Sequence, residues 1–121
     1  MPSKNYMDLI AWQKAMDLAQ TIYSAAKKLP PDERFGLCSQ MRRAAVSVPA
    51  NIAEGEGRRT DGEFVHLLSV AHGSVRELET HVMLAERLGY FDREAVKRLL
   101  ADAGEVGRLV KGLSNSRERR L

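Results

Sequence analysis

Hydrophobic and polar positions recur along this chain at the three-and-four spacing of helices, in four successive stretches. In the first, Leu9, Trp12, Met16, Ala19, Ile22, Ala26 and Leu29 share a stripe, which predicts a helix from an N-cap near Asp8 to about Lys28. Pro30 and Pro31 stop it, because a residue before proline avoids the helical region. In the second, Met41, Ala45, Val48 and Ile52 share a face, which predicts a helix starting within residues 32–35 and ending near Gly55. That phase runs straight through Pro49, which lacks an amide donor, crowds the Ala45 carbonyl and costs about 3 kcal/mol in a helix interior. The pattern therefore predicts one helix kinked at Pro49 and ended by Gly55 and Gly57, which readily take the left-handed conformation.

The third stretch opens with Thr60 and Glu63 at capping-box spacing and predicts a helix over residues 61–88. Its stripe, Phe64, Leu67, Leu68, Ala71, Val75, Leu78, Val82 and Ala85, is the cleanest in the chain, and Gly89 closes it. In the fourth, Asp92 is a suitable N-cap and Phe91 can staple onto Val96. Val96, Leu99, Leu100, Ala103, Val110 and Leu113 then point inward as far as about Ser114. Gly104, Gly107 and Gly112 each weaken that helix by up to about 1 kcal/mol relative to alanine, and mark either close approach by a neighbour or a frayed end. No stretch has the period of a strand. The connections are short, so consecutive helices are expected to be antiparallel, giving an all-α, up-down-up-down four-helix bundle.

Composition narrows the class without changing this picture. A length of 121 residues suits one domain, taken as residues 1–116 with a basic tail at 117–121. The hydrophobic share of 44% and charged share of 29% match a soluble globular protein, and no apolar run reaches the ~20 residues of a membrane span. Asp8 and Lys14 interrupt any signal-peptide core, so a cytoplasmic protein is expected. Cys38 is the single cysteine, placed as a buried small hydrophobe.

A search for chemistry finds no complete active site. Glu63 and His66 have the Glu-x-x-His spacing of di-metal bundles, but the motif occurs once where two are needed. One cysteine and three scattered histidines make no zinc cluster. Gly55-Glu56-Gly57 lacks the lysine of a phosphate loop, and no serine has the nucleophile-elbow context. Glu77 and Glu79 point to different faces. The expectation is a non-enzymatic protein without a cofactor. A polar seam remains beside the core. Gln40, Arg43, Ser47, Asn51, Glu54 and Arg58 run along the second helix, and Ser74, Glu77 and His81 along the third. It is either a satisfied network that sets helix register, with arginines pairing its carboxylates, or a pocket lined by Asn51 and Glu54.

Net charge is only +3, with a pI of about 9.2, but the basic residues cluster. Arg42, Arg43, Arg58 and Arg59 bracket the seam; Arg93, Lys97, Arg108 and Lys111 share a side of the fourth helix; Arg117, Arg119 and Arg120 end the chain. Of these, all but Arg93 are candidate phosphate contacts.

Specific residues carry a resemblance. Trp12-Gln13-Lys14-Ala15, then Leu29-Pro30 and Glu33-Arg34-Phe35-Gly36-Leu37, lead into Gln40-Met41-Arg42-Arg43-Ala44-Ala45-Val46-Ser47-Val48-Pro49-Ala50-Asn51-Ile52-Ala53-Glu54-Gly55. With Gly73-Ser74, Glu77-Leu78-Glu79-Thr80 and Leu88-Gly89-Tyr90, this order resembles the bacterial four-helix bundle proteins encoded within intervening sequences of large-subunit rRNA genes. It is also similar to the accessory variability determinants of diversity-generating retroelements. The resemblance implies a barrel-like homopentamer and, in the retroelement branch, a basic surface that engages nucleic acid and a reverse transcriptase. It implies no catalytic residue. The expected function is a nucleic-acid-binding scaffold, with a protein-interaction module as the alternative and a small-molecule or metal enzyme a distant third.

Overall fold

Helices α1 (Ile10–Ala26), α2 (Leu37–Glu56), α3 (Asp61–Arg87) and α4 (Arg93–Glu118) realise the four stripes, with short 3-10 turns at Tyr6–Asp8 and Pro31–Glu33. The computed structural model describes residues 5–121, so residues 1–4 of the expected domain lie outside it; no strand occurs among the described residues. Each of α1 and α3 packs on both α2 and α4, closing a ring around one core. Pairs across the ring fix the directions. Arg42 lies over Tyr23 and Cys38 near Ala26, Ser47 meets Ser74, and Arg117 lies over Phe64 whereas Arg93 pairs with Glu86. Sequence-adjacent helices are therefore antiparallel.

The core is made where the periodicity is strongest. On α2, Met41, Ala45, Val48 and Ile52 are all essentially inaccessible, and the helix continues unbroken through the buried Pro49. On α3, the whole predicted stripe is buried except Leu67, which is half-buried. Each large aliphatic side chain removed from water in this way contributes about 1.5–3 kcal/mol.

The α1 stripe is rotated from the one predicted. Ala11, Ala15, Leu18, Ile22 and Ala26 are buried, while Met16 is 45% exposed and Leu9, Trp12 and Ala19 are only partly covered. Two stripes fit this helix and merge at Ile22 and Ala26. The one made largely of alanine faces inward because small side chains let α1 approach its neighbours closely. Trp12 instead stacks edge-on against Tyr6, with ring centroids 5.4 Å apart. Asp8 does not cap α1; it ends the first 3-10 turn, and Leu9 occupies the N-cap without a side-chain bond.

Local chemistry explains most of the boundaries. Thr60 Oγ1 accepts the Glu63 amide at 3.1 Å and Asp92 Oδ1 accepts the Ala95 amide at 2.8 Å, so α3 and α4 start at the predicted caps. Gly89 has φ +81 and ends α3 as expected. Gly55 and Gly57 are different: neither has positive φ, which corrects the left-handed reading of both. A Cβ on Gly55 would lie 2.7 Å from Phe64 Cδ1, so its task is to admit α3. Gly107 is likewise buried against Val75 and His72, whereas Gly112 faces open space. Helix α4 runs on to Glu118, four residues beyond the expected end.

The start of α2 held one surprise. Gly36 is the N-cap and has no side chain to offer, so Glu33 reaches forward and accepts the Leu37 amide at 3.0 Å. Its other carboxylate oxygen accepts the Tyr90 hydroxyl at 2.9 Å, tying the α1–α2 connection to the α3–α4 connection. Cys38 is buried, its thiol 3.8 Å from the Ala26 carbonyl. Among the described residues no helix is long and apolar enough to cross a membrane.

Candidate nucleic-acid interface

The ten candidate cations do not form one patch. Arg42 lies 14 positions before Glu56, about 21 Å along the α2 axis. Its guanidinium sits 5.0 Å from the Tyr23 ring centroid, and its Nε is buried without a partner, so Arg42 is packing material between α1 and α2 as much as surface charge. Arg43 is exposed beside it. Lys97 is exposed near the start of α4, about 16 Å along the axis from Arg108.

Four of the ten do converge. Arg58 and Arg59 follow the end of α2, and Arg117 and Arg120 come from the end of α4; together they line a cleft of about 250 Å³ with Thr60, Asp61 and Phe64. Asp61, in the first turn of α3, is the hub. Arg120 Nε is 3.1 Å from one of its oxygens and Arg117 Nε is 3.8 Å from the other. Arg117 also rests 5.3 Å from the Phe64 ring centroid, a cation–π contact on a buried ring. The basic end of the chain is thus docked on the bundle by two of its arginines. Arg58 pairs with Glu54 one turn away, while Arg59 and Arg119 make no ion pair among the described residues. Arg108 and Lys111 line a separate cleft between α3 and α4, joined there by Arg76.

The polar seam divides. Ser47 and Ser74 hydroxyls lie 2.7 Å apart across α2 and α3, and Asn51 Nδ2 donates to both the carbonyl (2.8 Å) and the hydroxyl (3.0 Å) of Ser47. That is a closed set of mutual bonds at the edge of the core. Glu54 stands apart from it, half-exposed and paired with Arg58. Arg76 bonds to Glu79 at 2.9 Å and not to Glu77. A groove of about 600 Å³ near His66 and Leu67 is lined by a single arginine, Arg58, already paired. Among the described residues no group of three or more His, Cys, Asp or Glu is arranged to hold a metal.

Glu77 is exposed and lies 3.5 Å from His81 Nε2, while His81 Nδ1 is buried without a partner. Burial lowers the His81 pKa below its ordinary 6.5 and outweighs the opposing pull of Glu77. The ring is therefore neutral in the fold. As pH falls below about 6.5 the unfolded chain takes up a proton that the fold refuses, so stability should decline with falling pH. Urea midpoints at pH 7.5 and 5.5 check this. The difference should shrink in His81→Leu, leaving the share of His72, which is shifted in the same direction. An unchanged difference would assign the pH dependence elsewhere.

The family model described as 23S rRNA-intervening sequence protein matches residues 7–112, spanning all of α1–α3 and most of α4. The chain belongs to that family. A solved structure from the S23 ribosomal protein family of Bacteroides thetaiotaomicron, described as a protein of unknown function, superposes on this chain with a TM-score of 0.81. The two are 25% identical, and the match covers 88% of this chain and 96% of the other. No curated protein matches.

Proposed function

We propose that this intervening-sequence protein is a non-catalytic, self-associating scaffold that binds nucleic acid through phosphate contacts. The observation that carries the reading is the convergence of Arg58, Arg59, Arg117 and Arg120 on one cleft, from helix ends far apart in sequence. Arginine suits the task because its planar fork binds phosphate in two places at once. The family is named for an intervening sequence of 23S rRNA, which makes RNA the first ligand to test.

Self-association is supported by apolar surface, and the homopentamer is the form that the resemblance implies. Trp12, Met16, Ala19 and Tyr23 form a partly exposed stripe on α1, and Val46 is exposed one turn beyond Arg42 on the adjoining α2. Five copies would turn a charge of +3 into a ring of weak sites acting by avidity. A bend at Pro49 would aim the end of α2, with Arg58 and Arg59, towards the end of α4.

Anisotropy titrations of a labelled RNA and a DNA of equal length, across a salt series and with light scattering for mass, test the reading. Binding should weaken steeply with salt and show little sequence preference. Exchanging Arg59, the cleft arginine without an ion pair among the described residues, for glutamine should weaken it several-fold and reduce the salt slope by about 1 per protomer. Absence of binding at low salt sinks the proposal and leaves the protein-interaction reading, with a neighbouring-gene product such as a reverse transcriptase as partner. A monomer by light scattering removes the avidity argument.

A further inference from the structure

The α3–α4 cleft brings a histidine together with three cationic side chains. It measures about 460 Å³ and is walled by His72, Arg76 and Glu79 of α3 and by Arg108 and Lys111 of α4, with Gly104 and Gly107 presenting no side chain on the α4 side. Three cations thus face one carboxylate. That carboxylate is already engaged, since Glu79 accepts Arg76 at 2.9 Å and is itself only 14% exposed. Neither Arg108 nor Lys111 makes an ion pair among the described residues. Arg108 folds back over the first glycine, its guanidinium 3.4 Å from where a Cβ on Gly104 would stand. His72 Nε2 lies 3.9 Å from where a Cβ on Gly107 would stand, which puts the ring against the α4 backbone. The glycines therefore keep open the space between an imidazole and three cationic side chains.

We propose that this cleft is a proton-coupled phosphate subsite, in which a phosphate group seats among Arg76, Arg108 and Lys111 and is bonded by His72, which takes up a proton as the phosphate arrives. The charges in the empty cleft explain the coupling. Burial first, then the positive charges of Arg76 and Lys111, hold His72 below its ordinary 6.5, and Glu79 only partly opposes them. Arg108, from α4, is the remaining charged group lining the cleft. A phosphate offsets those cations and adds negative charge beside the ring, so the field that disfavours a protonated His72 is relieved. The protonated imidazole then adds a charge-assisted hydrogen bond to the arginine and lysine contacts. The phosphate can come from a nucleic-acid backbone or from a free phosphate compound. Only the first source rests on the function proposed above.

The test is an NMR pH titration of the three imidazoles in the full chain, alone, with saturating pyrophosphate, and with a short oligothymidylate, with anisotropy run in parallel. His66 and His81 serve as internal references, since neither lines the cleft. The His72 midpoint should rise by about one pH unit with the bound ligand while the other two stay in place. The paired substitutions Arg108→Gln and Lys111→Gln, at exposed positions, should abolish that rise without changing the fold. A rise with pyrophosphate alone upholds the subsite with a free phosphate compound as ligand, even if oligonucleotide binding fails. A rise with the oligonucleotide upholds it with the backbone as source. Oligonucleotide bound with His72 unmoved overturns the subsite and leaves the nucleic-acid function standing. No response to either probe overturns the subsite outright.

Discussion

Gly55→Leu should destabilise the protein by about 3 kcal/mol or more, a large part of the roughly 5–15 kcal/mol that holds a typical domain folded. The α2–α3 crossing closes at this glycine. A single Cβ there would lie 2.7 Å from Phe64 Cδ1, 3.1 Å from Leu67 Cβ and 3.2 Å from Phe64 Cε1. The Phe64 ring has little freedom to yield, because it is 4% exposed and Arg117 lies across it. Gly55→Ala sets two effects of known sign against each other. Alanine gains about 1 kcal/mol of helix propensity, and overpacking costs about 1–3 kcal/mol, so the net result should be a loss. Gly112→Ala is the control. It sits in α4 with nothing within 4 Å of its Cβ position, so only the propensity gain applies and the protein should become more stable. Urea unfolding followed by circular dichroism measures all three. Gly55→Ala raising the midpoint as Gly112→Ala does would show that the crossing can relax and that the glycine is incidental.

That glycine also shows what the sequence can and cannot convey. A helix-ending glycine and a helix-packing glycine look alike in one dimension. What separates them is the neighbour across the gap, here Phe64, which only the fold supplies. The α3 stripe was readable because its bulky residues keep one helical phase from Phe64 to Ala85, although Val70, Met83 and Leu84 lie exposed outside it. Helix α1 allowed two phases. Leu9, Trp12 and Met16 outrank Ala11 and Ala15 in hydrophobicity, yet the alanines are inside, because close packing of α1 favoured small residues over greasy ones. The displaced large side chains are the apolar surface on which the self-association proposal rests.

The site was legible in kind but not in arrangement. Basic residues at 58–59 and 117–120 were visible as separate clusters, and their meeting around Asp61 depends on α4 continuing past Ser114. Arg42 read as an equal member of the set, but Tyr23, 19 residues earlier, turns it inward over a ring. In the seam, Ser47 and Asn51 were recognisable as helix neighbours, and Ser74 completes their network from α3. Gly104 and Gly107 read as marks of either close approach or a frayed end, and only the fold decides: Gly107 lies against α3, and both line the cleft beside His72.

Glu33→Ala should cost about 1–3 kcal/mol, an unusually large effect for a loop residue. Its carboxylate serves two donors that have no other partner among the described residues: the Leu37 amide at the start of α2 and the Tyr90 hydroxyl 57 positions away. Gly36 belongs to the same arrangement, since a Cβ there would stand 2.9 Å from the Glu33 oxygen that accepts the amide. The negative charge is also well placed at the positive end of α2. Glu33→Gln should recover part of the loss, because an amide oxygen can accept one bond but carries no charge to favour the helix end. Tyr90→Phe should cost less than Glu33→Ala, because it removes one of the two bonds and leaves α2 satisfied. In Glu33→Ala/Tyr90→Phe the combined loss should fall short of the sum, since both changes break the same contact. Alkaline titration gives an independent reading. The bond to Glu33, with smaller contributions from burial and from the charges of Glu33 and Asp32, raises the Tyr90 pKa above its ordinary 10.0. The stability it confers is therefore full below pH 10 and fades as pH climbs through the raised value. Additive losses, or a tyrosine titration unaltered by Glu33→Ala, would mean that the two connections are held together by something other than this bond.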